Sequence, residues 1–136
     1  MSSQGKPLKL EGLLETVVYY RTGQHDAMRR FYADLLRLPS ITDDPDSFRV
    51  GSQVFFLFNA DESSVQDDPP AHGATGPIHT CFLSRPEFYD DWKQHLRDHE
   101  VEILREIKWA NGVASFYFAD PAGNILEIAN GDLWAH

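Results

Sequence analysis

Each half of the chain shows the same order of hydrophobic and polar patterns. A short stretch rich in β-branched and aromatic residues predicts a strand, apolar residues at helical spacing predict an amphipathic helix, and three more short apolar stretches predict strands. The first half has a predicted strand over 13–20, a helix over 24–36 and strands over 40–43, 47–50 and 53–59. The second half has a predicted strand over 78–83, a helix from a capping box at 84–87 to about 99, and strands over 101–107, 113–118 and 125–129.

The repeated order predicts one domain built from two βαβββ modules, and an α+β fold class. Residues 61–77 contain Asp, Ser, Gln, Pro and Gly and almost no hydrophobic residues, which predicts a linker loop. We therefore predict an N-terminal tail over 1–12, a first module over 13–60 and a second module with a C-terminal tail over 78–136. One module is too small to bury its own sheet face, so the two must pack together or pair with another chain.

Charge and cysteine content narrow the class of protein. The chain has 136 residues, and 12 Lys and Arg against 21 Asp and Glu give a formal net charge of −9. Such a field repels phosphate backbones and anionic lipids, so we expect neither a nucleic-acid nor a membrane partner. The single cysteine, Cys81, excludes an intrachain disulfide, and the first residues lack the apolar core of a signal peptide. These features favour a cytoplasmic protein.

Three motifs carry a resemblance to a known family. They are Phe31-Tyr-Ala-Asp-Leu-Leu36, Gly76-Pro-Ile-His79 and Phe116-Tyr-Phe-Ala-Asp-Pro-Ala-Gly-Asn-Ile-Leu-Glu127. From about residue 13 to residue 133 the chain resembles the vicinal-oxygen-chelate superfamily, which includes glyoxalases, bleomycin-resistance proteins, extradiol dioxygenases and fosfomycin-resistance enzymes. The resemblance implies two βαβββ modules whose curled mixed sheets enclose one open cavity. It also implies a dimer, in some members with exchanged modules.

The resemblance implies four positions for ligands to a divalent metal, which fall on Thr16, Leu57, His79 and Glu127. Only His79 and Glu127 ligate metals in the usual way, whereas first-row ions normally take three or more strong donors. This favours a degenerate or absent metal centre. His79 could instead hydrogen-bond to Glu127 without a metal, and Glu127, the predicted catalytic group, could simply face solvent.

Strand alternation predicts which side chains share the cavity wall with these four positions. On the seventh strand, either Ser115 and Tyr117 or Phe116 and Phe118 face the cavity. A mainly apolar wall with a few polar groups is typical of a small-molecule pocket, although the same residues could fill a closed core. The residues predicted to contact a ligand are Thr16, Tyr20, Leu57, Asn59, Cys81 and Tyr117.

Two further residues have alternative interpretations. Cys81 lies two residues from His79, so its thiol could be activated, although a lone strand cysteine is more often a small buried hydrophobe. His72 lies in the 61–77 loop, which could fold over the cavity as a lid, although a solvated loop histidine is the simpler interpretation.

Together these features favour a small-molecule-binding protein of the glyoxalase and bleomycin-resistance type with a degenerate metal centre. The alternative is a divalent-metal-dependent enzyme, a lyase, isomerase, dioxygenase or thiol transferase, with His79 and Glu127 as metal ligands. A regulatory or partner-binding module with a collapsed cavity is a third hypothesis, and no exposed stripe of residues suited to recognise a partner supports it. We expect a small-molecule ligand and a homodimer; the sequence specifies neither the ligand nor the reaction.

Overall fold

Strand pairing divides the protein into two four-stranded sheets, one from each half of the chain. The structure, a computed structural model, describes residues 7–41, 43–74 and 76–135. The first sheet contains β1 (Glu15–Tyr20), β2 (Ser40–Ile41), β3 (Asp44–Val50) and β4 (Gln53–Asn59) in the order β1-β4-β3-β2. The second contains β5 (His79–Leu83), β6 (Arg105–Lys108), β7 (Ala114–Ala119) and β8 (Ile125–Ala129) in the order β5-β8-β7-β6.

Both sheets are mixed and follow the same plan. The first strand of each module runs parallel to the last one, and the remaining neighbours are antiparallel. No strand of one sheet pairs with a strand of the other within the described residues, so the sheets do not close into a barrel. The predicted α+β class with two βαβββ modules is confirmed. The predicted boundaries of the tails, modules and linker stay a prediction, and residues 1–6 and His136 lie outside the described residues.

The helices differ from the predicted ones at their ends. The helix predicted over 24–36 is α1 (His25–Arg30) followed by a π-helical turn over Phe31–Leu35, closed by the amide of Leu36 donating to the carbonyl of Phe31 at 2.9 Å. A short helix, α2 (Ala60–Ser63), begins the predicted linker because the Asn59 side chain accepts from the Asp61 amide and caps its start.

The predicted capping box at the start of the second helix does not form. A 3₁₀ turn over Pro86–Phe88 precedes α3 (Tyr89–Asp98), and no side chain caps either element. The Ser84 hydroxyl instead donates to the carbonyl of Arg85, and the Glu87 carboxylate accepts from the Arg85 guanidinium. None of the helices in the described ranges is long and apolar enough to cross a membrane.

One hydrophobic core joins the two modules. Aromatic rings from both halves meet in it: Tyr32 lies 5.1 Å from Phe55, Phe55 lies 5.6 Å from Phe82, and Phe31 lies 6.2 Å from Phe118, measured between ring centroids. The cluster also includes side chains of α3 and of both sheets. Because burial of apolar surface drives folding, neither module has a complete core without the other.

A buried polar network ties the modules together at the turn between β7 and β8. The Asp120 carboxylate accepts from the Tyr32 hydroxyl at 2.6 Å, from the Asn124 side chain at 2.9 Å and from the Asn124 amide at 3.0 Å. The Asn124 side chain also donates to the carbonyl of Tyr19 and accepts from the amide of Ile78. These bonds connect the π-helical turn and β1 of the first module to the residue before β5 in the second.

We expect Tyr32→Phe to lower the free energy of unfolding by about 1.5–3 kcal/mol, because a buried hydrogen bond to a carboxylate is lost. Urea denaturation at neutral pH measures the change. Tyr20→Phe is the matched control, since that hydroxyl has no hydrogen bond to another described residue, and it should change stability by less than about 0.5 kcal/mol. Equal effects of the two substitutions would contradict the importance of the network.

Candidate functional site

Each sheet has one face packed against helices and one face that the helices leave uncovered. Side chains alternate between these faces along every strand. The uncovered face of the first sheet carries Val17, Tyr19, Phe56 and Phe58. The uncovered face of the second sheet carries His79, Cys81, Tyr117 and Glu127.

His79 and Glu127 meet on the uncovered face of the second sheet. In the parallel pairing of β5 with β8, His79 lies opposite Ile125 and Cys81 lies opposite Glu127. Nε2 of His79 is 3.1 Å from Oε1 of Glu127. The imidazole is 50% exposed, whereas the carboxylate is only 5% exposed. The proximity predicted for these two residues is therefore observed, and it combines a buried carboxylate with an accessible imidazole.

The hydrogen bonds of His79 define what this pair can bind. Nδ1 lies 2.9 Å from the carbonyl oxygen of Ile125, which can only accept, so Nδ1 carries a proton. In a neutral imidazole Nε2 then has a lone pair that faces a carboxylate oxygen, which is also an acceptor. A proton or a bound cation must therefore lie between the two atoms. The other oxygen of Glu127, Oε2, is buried and makes no hydrogen bond of good geometry to a described residue, although the Cys81 thiol and the Tyr117 hydroxyl lie close enough to the carboxylate to interact with it.

Cys81 and Tyr117 flank the pair. The pKa of the Cys81 thiol is raised to about 12, first by loss of hydration and then by the charge of Glu127. The thiol therefore stays protonated at neutral pH, which argues against an activated nucleophile. Cys81 is also exposed, so it is not the small buried hydrophobe that was the alternative interpretation. The Tyr117 ring stacks 5.9 Å from the His79 ring, and burial, followed by the Glu127 charge, raises its pKa.

On β7, the seventh predicted strand, Ser115 and Tyr117 face the site, whereas Phe116 and Phe118 are buried in the core. The Ser115 hydroxyl accepts from Nε1 of Trp109 at 2.9 Å. An indole therefore lies over the same sheet face as Glu127. Sequence reasoning missed Trp109, because it precedes the strand and belongs to no motif.

In the first sheet, the residues on the uncovered face are those one position away from the residues predicted to line the cavity. Thr16, Tyr20, Leu57 and Asn59, predicted to share a wall with His79, lie on the side that faces the helices. The Tyr20 ring, for example, packs 5.7 Å from His25 of α1. This placement is a correction: a shift of one residue moves a whole strand pattern to the opposite face. The residues on the uncovered face are the mainly apolar set around Tyr19 and Phe58.

The site offers half of a metal-binding set. The carboxylate of Glu127 and the lone pair on a neutral His79 are donors that suit a divalent cation, and the bond from His79 to the Ile125 carbonyl is the usual way to orient a ligating imidazole. However, residues 7–41, 43–74 and 76–135 contain no group of three or more His, Cys, Asp or Glu that could hold a metal ion. The two donors suit a cation only if further donors come from elsewhere.

His72 lies on the uncovered face of the first sheet and not beside His79. Its Nδ1 is 2.7 Å from the Tyr19 hydroxyl, and its ring lies edge-on against Phe58 at 5.0 Å. His72 is thus a partly exposed loop histidine with defined contacts, and its role in a lid stays a prediction. The sequence placed this histidine in a possible lid, but no spacing signal connected it to Tyr19, which lies 53 residues earlier.

Comparison with known proteins identifies the family. No protein-family model matches the chain. The chain is 34% identical to a solved lactoylglutathione lyase from Agrobacterium tumefaciens, with a TM-score of 0.83 over 93% of this chain and 98% of that one. A glyoxalase/dioxygenase from Nostoc punctiforme is 22% identical, with a TM-score of 0.69 over 95% of this chain and 97% of that one.

The fosfomycin resistance protein FosX from Listeria monocytogenes, solved with Mn(II), is 17% identical, with a TM-score of 0.67 over 92% of this chain and 94% of that one. At the lower identities the likeness shows the fold alone, whereas the lyase supports a closer relationship over almost the whole chain. The protein described here belongs to the vicinal-oxygen-chelate superfamily and is glyoxalase-like.

Proposed function

We propose that the protein binds a small organic molecule on the uncovered faces of its sheets, with the His79–Glu127 pair as the polar anchor and an incomplete metal centre. The observation that carries this proposal is the buried carboxylate of Glu127 beside a half-exposed imidazole, with one oxygen that makes no hydrogen bond of good geometry within the described part of the chain. A buried acceptor without a partner is costly unless something binds it. A ligand with neighbouring hydroxyl or carbonyl oxygens could satisfy both side chains.

The apolar side chains of the first sheet favour the binding of a small organic molecule over a complete metal centre. Its uncovered face has Val17, Phe56 and Phe58 on the strands that correspond to those of His79 and Glu127. Two donors from one sheet leave a cation mainly hydrated and therefore weakly held. The aromatic side chains supply the flat apolar surface that small-molecule sites usually contain.

A metal-dependent enzyme is the second candidate. It is favoured by the donor geometry of His79 and Glu127, and by the 34% identity to a protein described as a lactoylglutathione lyase. In that case the two residues would be metal ligands, and the carboxylate of Glu127 would also be placed to hold a proton taken from the substrate. A bound divalent metal would supply stabilisation of negative charge that develops on a substrate oxygen.

We also propose a homodimer in which a second copy contributes to the covering of the open sheet faces. Leu83, at the end of β5 and on the same face as His79, is 72% exposed. The edge strands β1 and β5 have no strand partner on their outer side in the described chain. Exposed apolar side chains on an open sheet are typical of a surface that another chain covers.

Elemental analysis separates the two functional candidates. Protein purified without chelator should carry well below one equivalent of Mn, Fe, Ni or Zn, because only two strong donors are present. His79→Ala and Glu127→Gln should then leave the metal content unchanged. One equivalent that is lost in both variants would instead support the enzyme.

We expect 2,3-dihydroxynaphthalene, an aromatic probe with two neighbouring oxygens, to bind saturably and to change the tryptophan fluorescence, to which Trp109 beside the site contributes. His79→Ala should weaken binding about ten-fold in calorimetry, because one hydrogen bond to the probe is lost. His99→Ala, at the exposed end of α3, is the control and should bind as the wild type does. Absence of saturable binding to the wild-type protein would overturn the proposed function.

Sedimentation tests the dimer. Leu83→Lys should shift the protein toward the monomer, because it places a charge in the proposed interface. Leu10→Lys, at a 95% exposed position before β1, should leave the sedimentation coefficient unchanged. A wild-type protein that sediments as a monomer at all concentrations would contradict the dimer without affecting ligand binding.

A further inference from the structure

The loop after α2 places an imidazole on the uncovered face of the first sheet. The His72 ring lies 5.0 Å from Phe58 and 5.8 Å from Tyr19, and Phe58 itself stacks on Phe56 at 5.5 Å. All three strand residues have intermediate exposure, so they form an accessible aromatic surface. His72 gives this surface a polar edge.

Local contacts hold His72 in this position. Its amide donates to the carbonyl of Ser63, at the end of α2, at 2.9 Å. The next residue, Gly73, packs so closely on α2 that an added Cβ would lie 3.2 Å from the Cβ of Ser64 and 3.4 Å from the carbonyl oxygen of Ala60. The loop is therefore attached to the helix immediately around the histidine, and the imidazole is presented from a defined backbone position.

Because the two modules share one plan, the position beside His72 can be compared with its counterpart in the second sheet. In the second sheet, Glu127 lies opposite the residue two places after His79. The same relation in the first sheet connects Val17 with Phe58, since Tyr19 lies opposite Phe58. The position that corresponds to the anchoring carboxylate is thus a phenylalanine, and the loop imidazole lies directly against it.

We propose that His72 is a ligand-contacting residue, supplied by the loop to the uncovered face of the first sheet, whose strands carry no donor comparable to His79 and Glu127. This inference rests on the proposed function. The hydrogen bond between Nδ1 and the Tyr19 hydroxyl orients the ring, while Nε2 makes no hydrogen bond to another described residue. Nε2 is therefore free to bind one polar atom of a ligand whose flat part lies on Phe56 and Phe58.

These features define a ligand class. A flat conjugated group suits the aromatic surface, because offset stacking and edge contacts with Phe and His rings are favourable. One oxygen or nitrogen at its edge pairs with Nε2 of His72. The net charge of −9 disfavours polyanions and leaves neutral or cationic molecules.

Two substitutions of similar size separate ligand contact from loop positioning. In His72→Asn the amide reaches about as far as Nδ1, so it can keep the Tyr19 bond but has no atom at Nε2. In His72→Gln the amide reaches about as far as Nε2 and the bond to Tyr19 is lost. With 2,3,6-trihydroxynaphthalene as the probe, whose third hydroxyl lies at the end opposite the neighbouring pair, we expect His72→Asn to weaken binding about ten-fold and His72→Gln by less than about three-fold.

A spectroscopic readout checks the contact directly. The Nε2 resonance of His72 in a long-range ¹H–¹⁵N spectrum, assigned by its absence in His72→Asn, should shift when the probe saturates the protein. His99→Ala is the control for loss of a histidine elsewhere, and melting curves establish that each variant is folded.

Three outcomes would overturn the inference. His72→Asn could bind the probe as tightly as the wild type while His79→Ala remains weakened, which would leave the proposed function intact. His72→Asn could bind better than His72→Gln, which would assign His72 a positioning role through Tyr19. Failure of the wild type to bind the probe would overturn the proposed function and this inference together.

Discussion

The geometry of the site depends on the hydrogen bonds that the buried Asp120 carboxylate accepts. The carboxylate accepts them from Tyr32 of the first module and from the backbone and side chain of Asn124 in its own turn. Asn124 continues the network to Tyr19 and Ile78. The Tyr19 hydroxyl bonds to His72, and Ile78 precedes His79, so one polar network links the positions of both histidines. A carboxylate that is only 5% exposed needs all of these donors, which explains why the turn is so closely specified.

The two halves of the site offer different chemistry on the same architecture. The second sheet supplies an imidazole and a carboxylate from paired strands, with Tyr117 stacked beside them. The first sheet supplies aromatic surface, and its polar group comes from a loop. A cation beside His79 and Glu127 would therefore meet only two strand-borne donors, and the first sheet adds none. This asymmetry favours an amphipathic organic ligand over a tightly coordinated ion.

Sequence patterns predicted the second half of the site better than the first. In β5 and β8, polar residues such as His79 and Glu127 alternate with apolar ones, and this alternation shows which side chains share a face. In β1 and β4, by contrast, runs such as Val17 to Tyr20 and Val54 to Phe58 are apolar on both faces, so nothing marks the parity of the strand. The order of elements predicted the fold class correctly. The contacts of His72 and Trp109 were beyond prediction, since they depend on loop geometry and on tertiary packing.

A donor carried by a loop is subject to different constraints from a donor carried by a strand. Moving His79 or Glu127 by one position would turn it into the core, because the register of a sheet admits only steps of two. The loop that carries His72 has no strand register to keep, and is fixed only locally, by the amide bond of His72 to Ser63, its side-chain bond to Tyr19 and the close approach of Gly73 to α2. Changes of length or composition elsewhere in this loop can alter what the first half of the site recognises while the strand-borne pair stays in place. The fold thus separates a conservative half of the recognition surface from an adaptable one, and ligand range can diversify among related chains at little cost to folding.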